Sequence, residues 1–394
     1  MANSLLTIDM IKKEALALAH EKLSFIGTIN RQFDSSFGSA SGKIGDTLRI
    51  RLPSQYTRRQ GSRVMDVQDG AEQSTSLVTA TQDGVDMRFN SRELSLDMQD
   101  FRKLHLEPAI ASMVSGIESD VLQGCSKLVY NVAGTAGTPP TDLVAVGDAR
   151  ARMNKSLAPK DGKRYIQAES ITMGGMVNGL KGLFQDSQQI KEQYREGMIG
   201  RTAMADWYEN ERVWTMTNGS DVTSVTLDTY TCVEGDADLT VTGFATPTAG
   251  MVFTFAGIKA VHPETKASYS YDQQFTILAG STATNVLISP AMYSTGARQN
   301  ISAMPTTTAT LVFHGAASTA YVQNLMYHQD AFTFATGALP VMGDPAYCGV
   351  QTFDGLSLRV WQMPDIRNDE LLTRVDILYG YAAIRPQWAC RISS

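Results

Sequence analysis

The residue types that could bind a metal or act as a nucleophile are thinly spread along the chain. There are five histidines and four cysteines. No two histidines have the HExxH spacing, and no two cysteines form a CxxC pair. The histidines are His20, His105, His262, His314 and His328, and the cysteines are Cys125, Cys232, Cys348 and Cys390. We predict no metal site and interpret the cysteines as reduced, buried thiols.

The glycine-rich and acidic stretches resemble binding motifs only loosely. In residues 174–182 (GGMVNGLKG), Leu180 stands where a phosphate loop needs lysine. Residues 38–42 (GSASG) place their serines wrongly for a nucleophile elbow. The acidic group Glu234, Asp236 and Asp238 lacks the longer ligand series of a calcium loop. We therefore predict no catalytic residue and no cofactor.

Composition excludes several other classes of protein. The formal net charge is −6, whereas proteins that grip nucleic acid usually carry a basic excess. With 43% hydrophobic and 19% charged residues, the chain is globular, and its 394 residues suggest two or three domains. The first residues have no secretion pattern, and the charge-free stretch 299–329 contains Pro305 and many small polar residues. We expect no membrane segment.

The N-terminal part begins with a predicted helix. Residues 9–26 place apolar side chains at helical spacing, with Asp9 as the cap. A polar linker rich in glycine and serine follows over residues 33–43.

A polar ribbon comes next. Residues 47–52 alternate polar and apolar side chains, which predicts a strand, and a return strand is expected around 76–89. The outgoing limb (43–63) carries six basic residues against one acidic residue, and the return limb (66–97) seven acidic against two basic. A two-stranded ribbon is marginal in water, so it must lie on the same chain or on a neighbour. We predict subunit contacts at Arg49, Arg51, Arg58, Arg59, Arg63, Asp66, Asp69 and Glu72.

Helices and short strands fill the remainder. Apolar residues from Ile110 to Val132 at steps of three and four predict a long helix, with Pro108 at its first position. A shorter helix should follow, capped by Thr141, with Leu143, Val146, Met153 and Leu157 on its inner face. Residues 164–217 indicate mixed strand and helix.

The second half is rich in β-structure. Residues 221–328 hold only ten charged side chains and short β-prone runs, which predicts a small antiparallel barrel or sandwich. Residues 356–360 and 375–381 predict two further strands that return to the first domain. The β-rich block is thus an insertion.

This order of elements resembles the P-22-type branch of the Hong Kong 97 (HK-97) capsid fold of tailed bacteriophages. Short motifs carry the resemblance over nearly the whole chain. They are residues 33–37 (FDSSF), 43–48 (KIGDTL), 51–53 (RLP), 84–86 (GVD) with Phe89 and residues 93–94 (EL), 255–258 (FAGI) and 379–386 (YGYAAIRP).

The resemblance implies an α+β architecture with named parts. These are an N-arm (1–39), an extended β-hairpin loop (40–93), a peripheral domain with a long spine helix (94–140, helix 107–132), an axial domain (141–220), an inserted antiparallel β-barrel domain (221–328) and a return through both core domains (329–394). The family's long polar loop in the inserted domain is short here, between Thr231 and Thr242, so its contact is not transferred.

The resemblance also implies a function. The chain would be a major capsid protein, not an enzyme, that forms pentamers and hexamers of an icosahedral shell around phage double-stranded DNA. It would assemble in the bacterial cytoplasm with a scaffolding protein and a portal, and contact packaged DNA weakly. Two alternatives are an encapsulin-like compartment shell and a hydrolase or nucleotide-binding enzyme with an unrecognised site.

Overall fold

The computed structural model describes residues 13, 15–17, 19, 23–31, 47–59, 61–62, 65, 67, 70, 72–90, 106–180, 200–228, 232–341, 348–353 and 355–394. The chain divides into two compact units. The first comprises Met1–Ile50, Thr75–Val121 and Phe332–Ile384, and the second comprises Arg51–Ser74, Leu122–Ala331 and Arg385–Ser394.

The described helices are α1 (Phe25–Thr28), α2 (Glu107–Leu128), α3 (Leu143–Lys155) and α4 (Ser170–Leu180). The described strands are β1 (Thr47–Leu52), β2 (Gln73–Val78), β3 (Thr81–Asn90), β4 (Val132–Gly134), β5 (Arg164–Ala168), β6 (Arg201–Thr202), β7 (Ala205–Glu209), β8 (Trp214–Thr217), β9 (Thr226–Leu227), β10 (Asp236–Thr242), β11 (Val252–Val261), β12 (Ser268–Ile277), β13 (Asn285–Met292), β14 (Leu311–Phe313), β15 (Ala320–His328), β16 (Phe332–Gly337), β17 (Cys348–Phe353), β18 (Leu356–Asp365), β19 (Glu370–Ala383) and β20 (Ala389–Ser393).

The predicted helix over residues 9–26 is interrupted. Residues 13, 15–17 and 19 are helical, but Leu23 and Ser24 are not, and α1 begins at Phe25. The buried carboxylate of Glu118 explains the new start, because it accepts hydrogen bonds from the backbone N–H groups of Ser24 (3.1 Å) and Phe25 (2.6 Å). The predicted cap Asp9 lies outside the described residues.

The long helix α2 confirms the predicted apolar stripe, since Ile110, Val114, Ile117, Val121 and Cys125 are all buried. Its predicted end at residue 132 is wrong.

The helix stops at Leu128 because Val132 begins β4, which pairs in parallel with β20. The prediction also misplaced Pro108, which is the second residue of the helix rather than the first.

The next helix, α3, is capped by Asp142 rather than by the predicted Thr141. The Asp142 side chain accepts a hydrogen bond from the Val144 N–H at 3.0 Å. Val146 and Met153 are buried as predicted, whereas Leu157 lies beyond the helix with φ of 61° and is exposed. The end of α3 is therefore set by the local backbone conformation, which the spacing of apolar residues does not reveal.

The second unit contains a seven-stranded sheet with the order β4-β20-β15-β5-β7-β6, and β8 pairs with β15 outside this path. β15 is antiparallel to β5, β8 and β20, while β5 and β7 are parallel. Helices α3 and α4 pack on this sheet through one core. Its buried members include Val146, Met153, Ile166, Met173, Met176, Trp207, Met326 and Ile392. Helices and strands thus combine in this part of the unit, which agrees with the mixed strand and helix predicted for residues 164–217.

The same unit contains a six-stranded antiparallel sheet with the order β14-β11-β12-β13-β10-β9. Its two ends approach each other, because the Leu227 N–H bonds to the Ala309 carbonyl and the Leu311 N–H to the Val225 carbonyl, both at 2.9 Å. The sheet is therefore nearly closed around an apolar core that includes Phe253, Phe255 and Phe275. We call strands β9 to β14 the barrel sheet.

The predicted boundary at residue 328 would place β15 with the barrel sheet. Its hydrogen-bonded neighbours are instead β5, β8 and β20 of the seven-stranded sheet. The other domain boundaries stay predictions.

The first unit contains a five-stranded sheet, in which β16, β19, β18 and β17 follow one another. β16 pairs with residues 378–383 of β19, and β3 pairs with residues 370–379 of the same strand. The strands β18 and β19 confirm the predicted returning pair. The predicted return strand 76–89 is two strands, β2 and β3, because the chain leaves extended pairing at Thr79 and Ala80. β3 pairs antiparallel with β19 from Thr81 to Asn90, so this part of the return limb is held by its own chain.

The strands β1 and β2 form a separate two-stranded sheet, and β1 confirms the predicted strand over residues 47–52. Only Ile50 on β1 and Leu77 on β2 are buried. We call β1, β2 and residues 53–72 between them the ribbon.

Candidate functional site

The predicted contact residues lie along the ribbon. Arg49 and Arg51 are on β1, and Arg58 and Arg59 follow it, all four exposed. Glu72 is exposed and directly precedes β2. The remaining three predicted residues, Arg63, Asp66 and Asp69, lie outside the described residues.

One ion pair joins the two limbs of the ribbon. The Arg51 Nη1 and Glu72 Oε2 atoms are 3.6 Å apart, and the side chains are 78% and 62% exposed. Pairs of this kind contribute about 0–1 kcal/mol in water. The pair therefore adds little stability and leaves both charges accessible.

Exposed apolar side chains on the ribbon were not predicted. Tyr56, Met65 and Val67 are 62%, 79% and 75% exposed. Large apolar groups of this kind often anchor protein interfaces. Because they lie in a stretch that is mostly polar and charged, hydrophobic periodicity could not identify them.

The acidic return limb is partly used within the chain. Both carboxylate oxygens of Asp86 on β3 accept hydrogen bonds from Arg374 on β19, at 2.7 and 2.9 Å. Hydrogen bonding to the Arg374 guanidinium lowers the pKa of Asp86. Asp86 therefore helps to hold β3 in its own sheet.

Two of the described histidines, His328 and His262, form hydrogen bonds within the fold. His328 is fully buried, and its Nε2 atom lies 3.0 Å from Asp161 Oδ1. The Nδ1 atom of His262 accepts hydrogen bonds from the backbone N–H groups of Glu264 and Thr265. His20 and His105 lie outside the described residues, and no metal-binding cluster of His, Cys, Asp or Glu occurs in the part of the chain that the structure describes.

The cysteines are free and buried, as predicted. Burial raises the pKa of Cys232 to about 11 and that of Cys390 to about 12. These thiols therefore stay protonated near neutral pH and are poor nucleophiles.

The glycine-rich stretch over residues 174–182 begins on α4. A Cβ atom at Gly179 would lie 1.6 Å from the Thr141 carbonyl oxygen, so only glycine allows this approach. In the acidic group, Glu234 accepts hydrogen bonds from the Ser294 backbone and the Thr295 hydroxyl, and Asp236 accepts one from the Val233 N–H. Each stretch thus has a local structural role. Of the described helices, none is long and apolar enough to cross a membrane.

Comparison with solved structures identifies the fold. The chain is similar to a protein of Mycobacterium phage Che8, with a TM-score of 0.50 and 11% sequence identity over 94% of this chain and 90% of that one. It also resembles a chain of the cyanophage P-SCSP1u capsid (TM-score 0.44, 10% identity, 89% and 83% covered). A third likeness is to a chain of the bacteriophage PhiM1 mature capsid (TM-score 0.44, 9% identity, 88% and 82% covered). The predicted α+β capsid fold of the HK-97 type is confirmed at this level.

The sequence itself identifies the family. None of the curated proteins matches the chain. The family model described as "P22 coat protein - gene protein 5" matches residues 38–390, which is most of the chain. The chain therefore belongs to the P22 coat protein family.

Proposed function

We propose that the ribbon forms a contact between neighbouring copies of this chain in an assembled shell. The chain is a structural major capsid protein that assembles from copies of itself into an icosahedral phage shell, and it is not an enzyme. The predictions of a capsid subunit and of a non-enzyme are confirmed, and the encapsulin alternative has less support. The protein is a component of the virion capsid.

The ribbon's composition is the single observation that supports this contact. Its described charged side chains are exposed, its one described ion pair is weak, and four large apolar side chains, of Tyr56, Met65, Val67 and Val78, are accessible to solvent. A two-stranded ribbon with this little buried surface has marginal stability alone. A neighbouring copy would cover the apolar groups and use the charges to fix orientation.

The named parts of the subunit belong to the same proposal. The N-arm is residues 1–39, the extended loop 40–93, the peripheral domain 94–140 and the axial domain 141–220. The inserted barrel domain is the predicted 221–328 without β15, and the return is 329–394 together with β15. The nearly closed barrel sheet supports an inserted domain, which would lie on the outer face of the shell. The axial domain would surround the five- and six-fold axes.

Membership of a phage coat protein family suggests further assembly partners. Assembly would take place in the host cytoplasm with a scaffolding protein and a portal. Packaged double-stranded DNA would be contacted only weakly, because a chain of net charge −6 is on average repelled by phosphates.

Charge reversal of Arg58 and Arg59 to glutamate tests the ribbon. Both side chains are exposed, so the monomer should fold with an unchanged circular dichroism spectrum while shell formation falls at least tenfold. Electron microscopy and sedimentation velocity measure the yield of shells and shell fragments.

The matched control reverses Lys160 and Lys163, which are exposed and lie outside the ribbon. The control should assemble normally. Equal loss in both variants, or no loss in the ribbon variant, would contradict a ribbon contact. A wild-type chain that stays a compact monomer under every assembly condition would contradict shell formation itself.

A further inference from the structure

The second unit contains a pocket of about 440 Å³. This volume is within the usual range of ligand pockets, about 300–1,000 Å³. Its wall comes from the end of α3, the barrel sheet, the ribbon and the segment before β20. Five of the lining residues are cationic: Arg152, Lys155, Lys266, Arg298 and Arg385.

None of the described residues that line this pocket is acidic, although the whole chain carries a net charge of −6. Within the described ranges, none of the five cations forms an ion pair with a carboxylate. Neutral groups hold them instead. Arg152 donates to Gln274 Oε1 at 2.9 Å, and Lys266 donates to the Ala297 carbonyl at 2.6 Å.

Aromatic rings support the cations further. The Lys155 Nζ atom lies 4.4 Å from the centre of the Tyr271 ring, and the Arg385 guanidinium lies 4.1 Å from the Trp388 ring. Such contacts attract a cation but do not neutralise it. The pocket therefore keeps its positive charge.

The cations are half-buried, and burial lowers the pKa of Lys266 and of Arg385. The direction shows that both charged forms have lost hydration, which the more distant carboxylate of Asp330 offsets only in part for Arg385. An anion that entered the pocket would offset this cost.

We propose that the pocket binds the acidic part of the ribbon, residues 65–72, from a second copy of the chain. This inference rests on the proposed ribbon contact and names its receptor. The segment carries Asp66, Asp69 and Glu72, and no lysine or arginine occurs between Arg63 and Arg88. Its charge is thus complementary to that of the pocket.

None of the described residues of the segment (65, 67, 70 and 72) lines the pocket of its own chain. Gln73 lines that pocket, but Met65 and Val67 are largely exposed, and Glu72 is paired with Arg51. A contact between a pocket on one copy and a segment of another is heterologous, and such contacts generate closed rings when the rotation between copies closes on itself. The five-fold axes of an icosahedral shell require rings of this kind.

A double-stranded DNA ligand fits the pocket less well. A duplex meets proteins through phosphates along its outer surface and is too wide to enter a pocket of this volume. Carboxylates on an extended segment can enter it. The proposal therefore assigns the pocket to protein and not to nucleic acid.

Calorimetric titration of the unassembled full chain with a peptide of residues 64–74 (VMDVQDGAEQS) tests the assignment. The peptide should bind at low ionic strength. Lys155→Gln should weaken binding about tenfold, which corresponds to about 1.4 kcal/mol, whereas Lys155→Arg should retain it. Circular dichroism checks that each variant is folded.

Two controls make the result specific. Lys160→Gln removes a nearby charge that does not line the pocket and should leave peptide affinity unchanged. A peptide in which both aspartates are asparagine should bind about tenfold more weakly.

Absence of peptide binding, or equal binding by the Lys155→Gln variant, would overturn the proposal. A short duplex that binds at Lys155 while the peptide does not would assign the pocket to nucleic acid and overturn it too. The ribbon contact would still stand if reversal of Arg58 and Arg59 blocked assembly. The two failures are therefore distinguishable.

Discussion

The barrel sheet and the ribbon use β-strands for opposite purposes. In the barrel sheet, Phe253, Phe255 and Phe275 are buried, with ring centres 5.5–6.1 Å apart. Among the described residues of the ribbon only Ile50 and Leu77 are buried, and the charged side chains among them face solvent. The barrel sheet pairs its edges internally, whereas the ribbon exposes its charged surface to solvent.

This difference indicates where stability and assembly reside. Burial of aromatic rings supplies most of the stabilising free energy of a core. Exposed charges contribute little to stability but specify partners. Substitutions in the barrel sheet should therefore change unfolding, and substitutions in the ribbon should change assembly.

The largest expected effect is that of Phe253→Ala in the barrel sheet. Removing a fully buried ring that contacts three others should lower the free energy of unfolding by about 3–5 kcal/mol. Urea unfolding of the unassembled chain measures the change. Phe253→Leu is the control and should cost clearly less, because it retains most of the volume. Equal and small losses in both variants would show that this core is not tightly packed.

A pH effect of intermediate size is expected at His314, which follows β14. Burial, together with the nearby Arg391 and Arg152, lowers its pKa to about 4 from an ordinary value of 6.5. The unfolded chain then takes up a proton first as the pH falls. The free energy of unfolding should therefore decrease by roughly 1–3 kcal/mol between pH 6.5 and 4.

Thermal unfolding at several pH values measures this decrease. His314→Gln should flatten the pH dependence in that window, because the substituted side chain does not titrate. An unchanged slope in the variant would assign the acid sensitivity to other groups.

The smallest effect is expected in the ribbon, at the Arg51–Glu72 pair. A double-mutant cycle of Arg51→Gln and Glu72→Gln should give a coupling free energy near 0.5 kcal/mol, because both side chains are exposed. Chemical unfolding of the four proteins measures it. A coupling free energy above about 1.5 kcal/mol would contradict this, because it would show that the charges of the ribbon contribute substantially to the stability of the fold.

Local pattern predicted the elements better than their partners. The alternation over residues 47–52 predicted β1, and the apolar stripe of α2 was correct to Cys125. The end of α2 was wrong because the competing partner of Val132 is β20, more than 250 residues away. The pairing of β3 with β19 was missed for the same reason.

The candidate site was predictable only in part. Charge patterning identified Arg51 and Glu72, which the structure brings together, but Asp86 pairs within its own sheet. The exposed Tyr56 and Met65 gave no periodic pattern. The five cations of the pocket come from four separate stretches of sequence, so only the fold reveals them.

The place of β20 in the seven-stranded sheet constrains how the chain can fold during its synthesis. β20 lies between β4 and β15, so β4 lacks its partner and one edge of β15, opposite β5 and β8, stays unpaired until residues 389–393 have left the ribosome. Their unpaired backbone groups are a template for wrong pairing during that interval. Newly made chains should therefore depend on chaperones until synthesis reaches this strand.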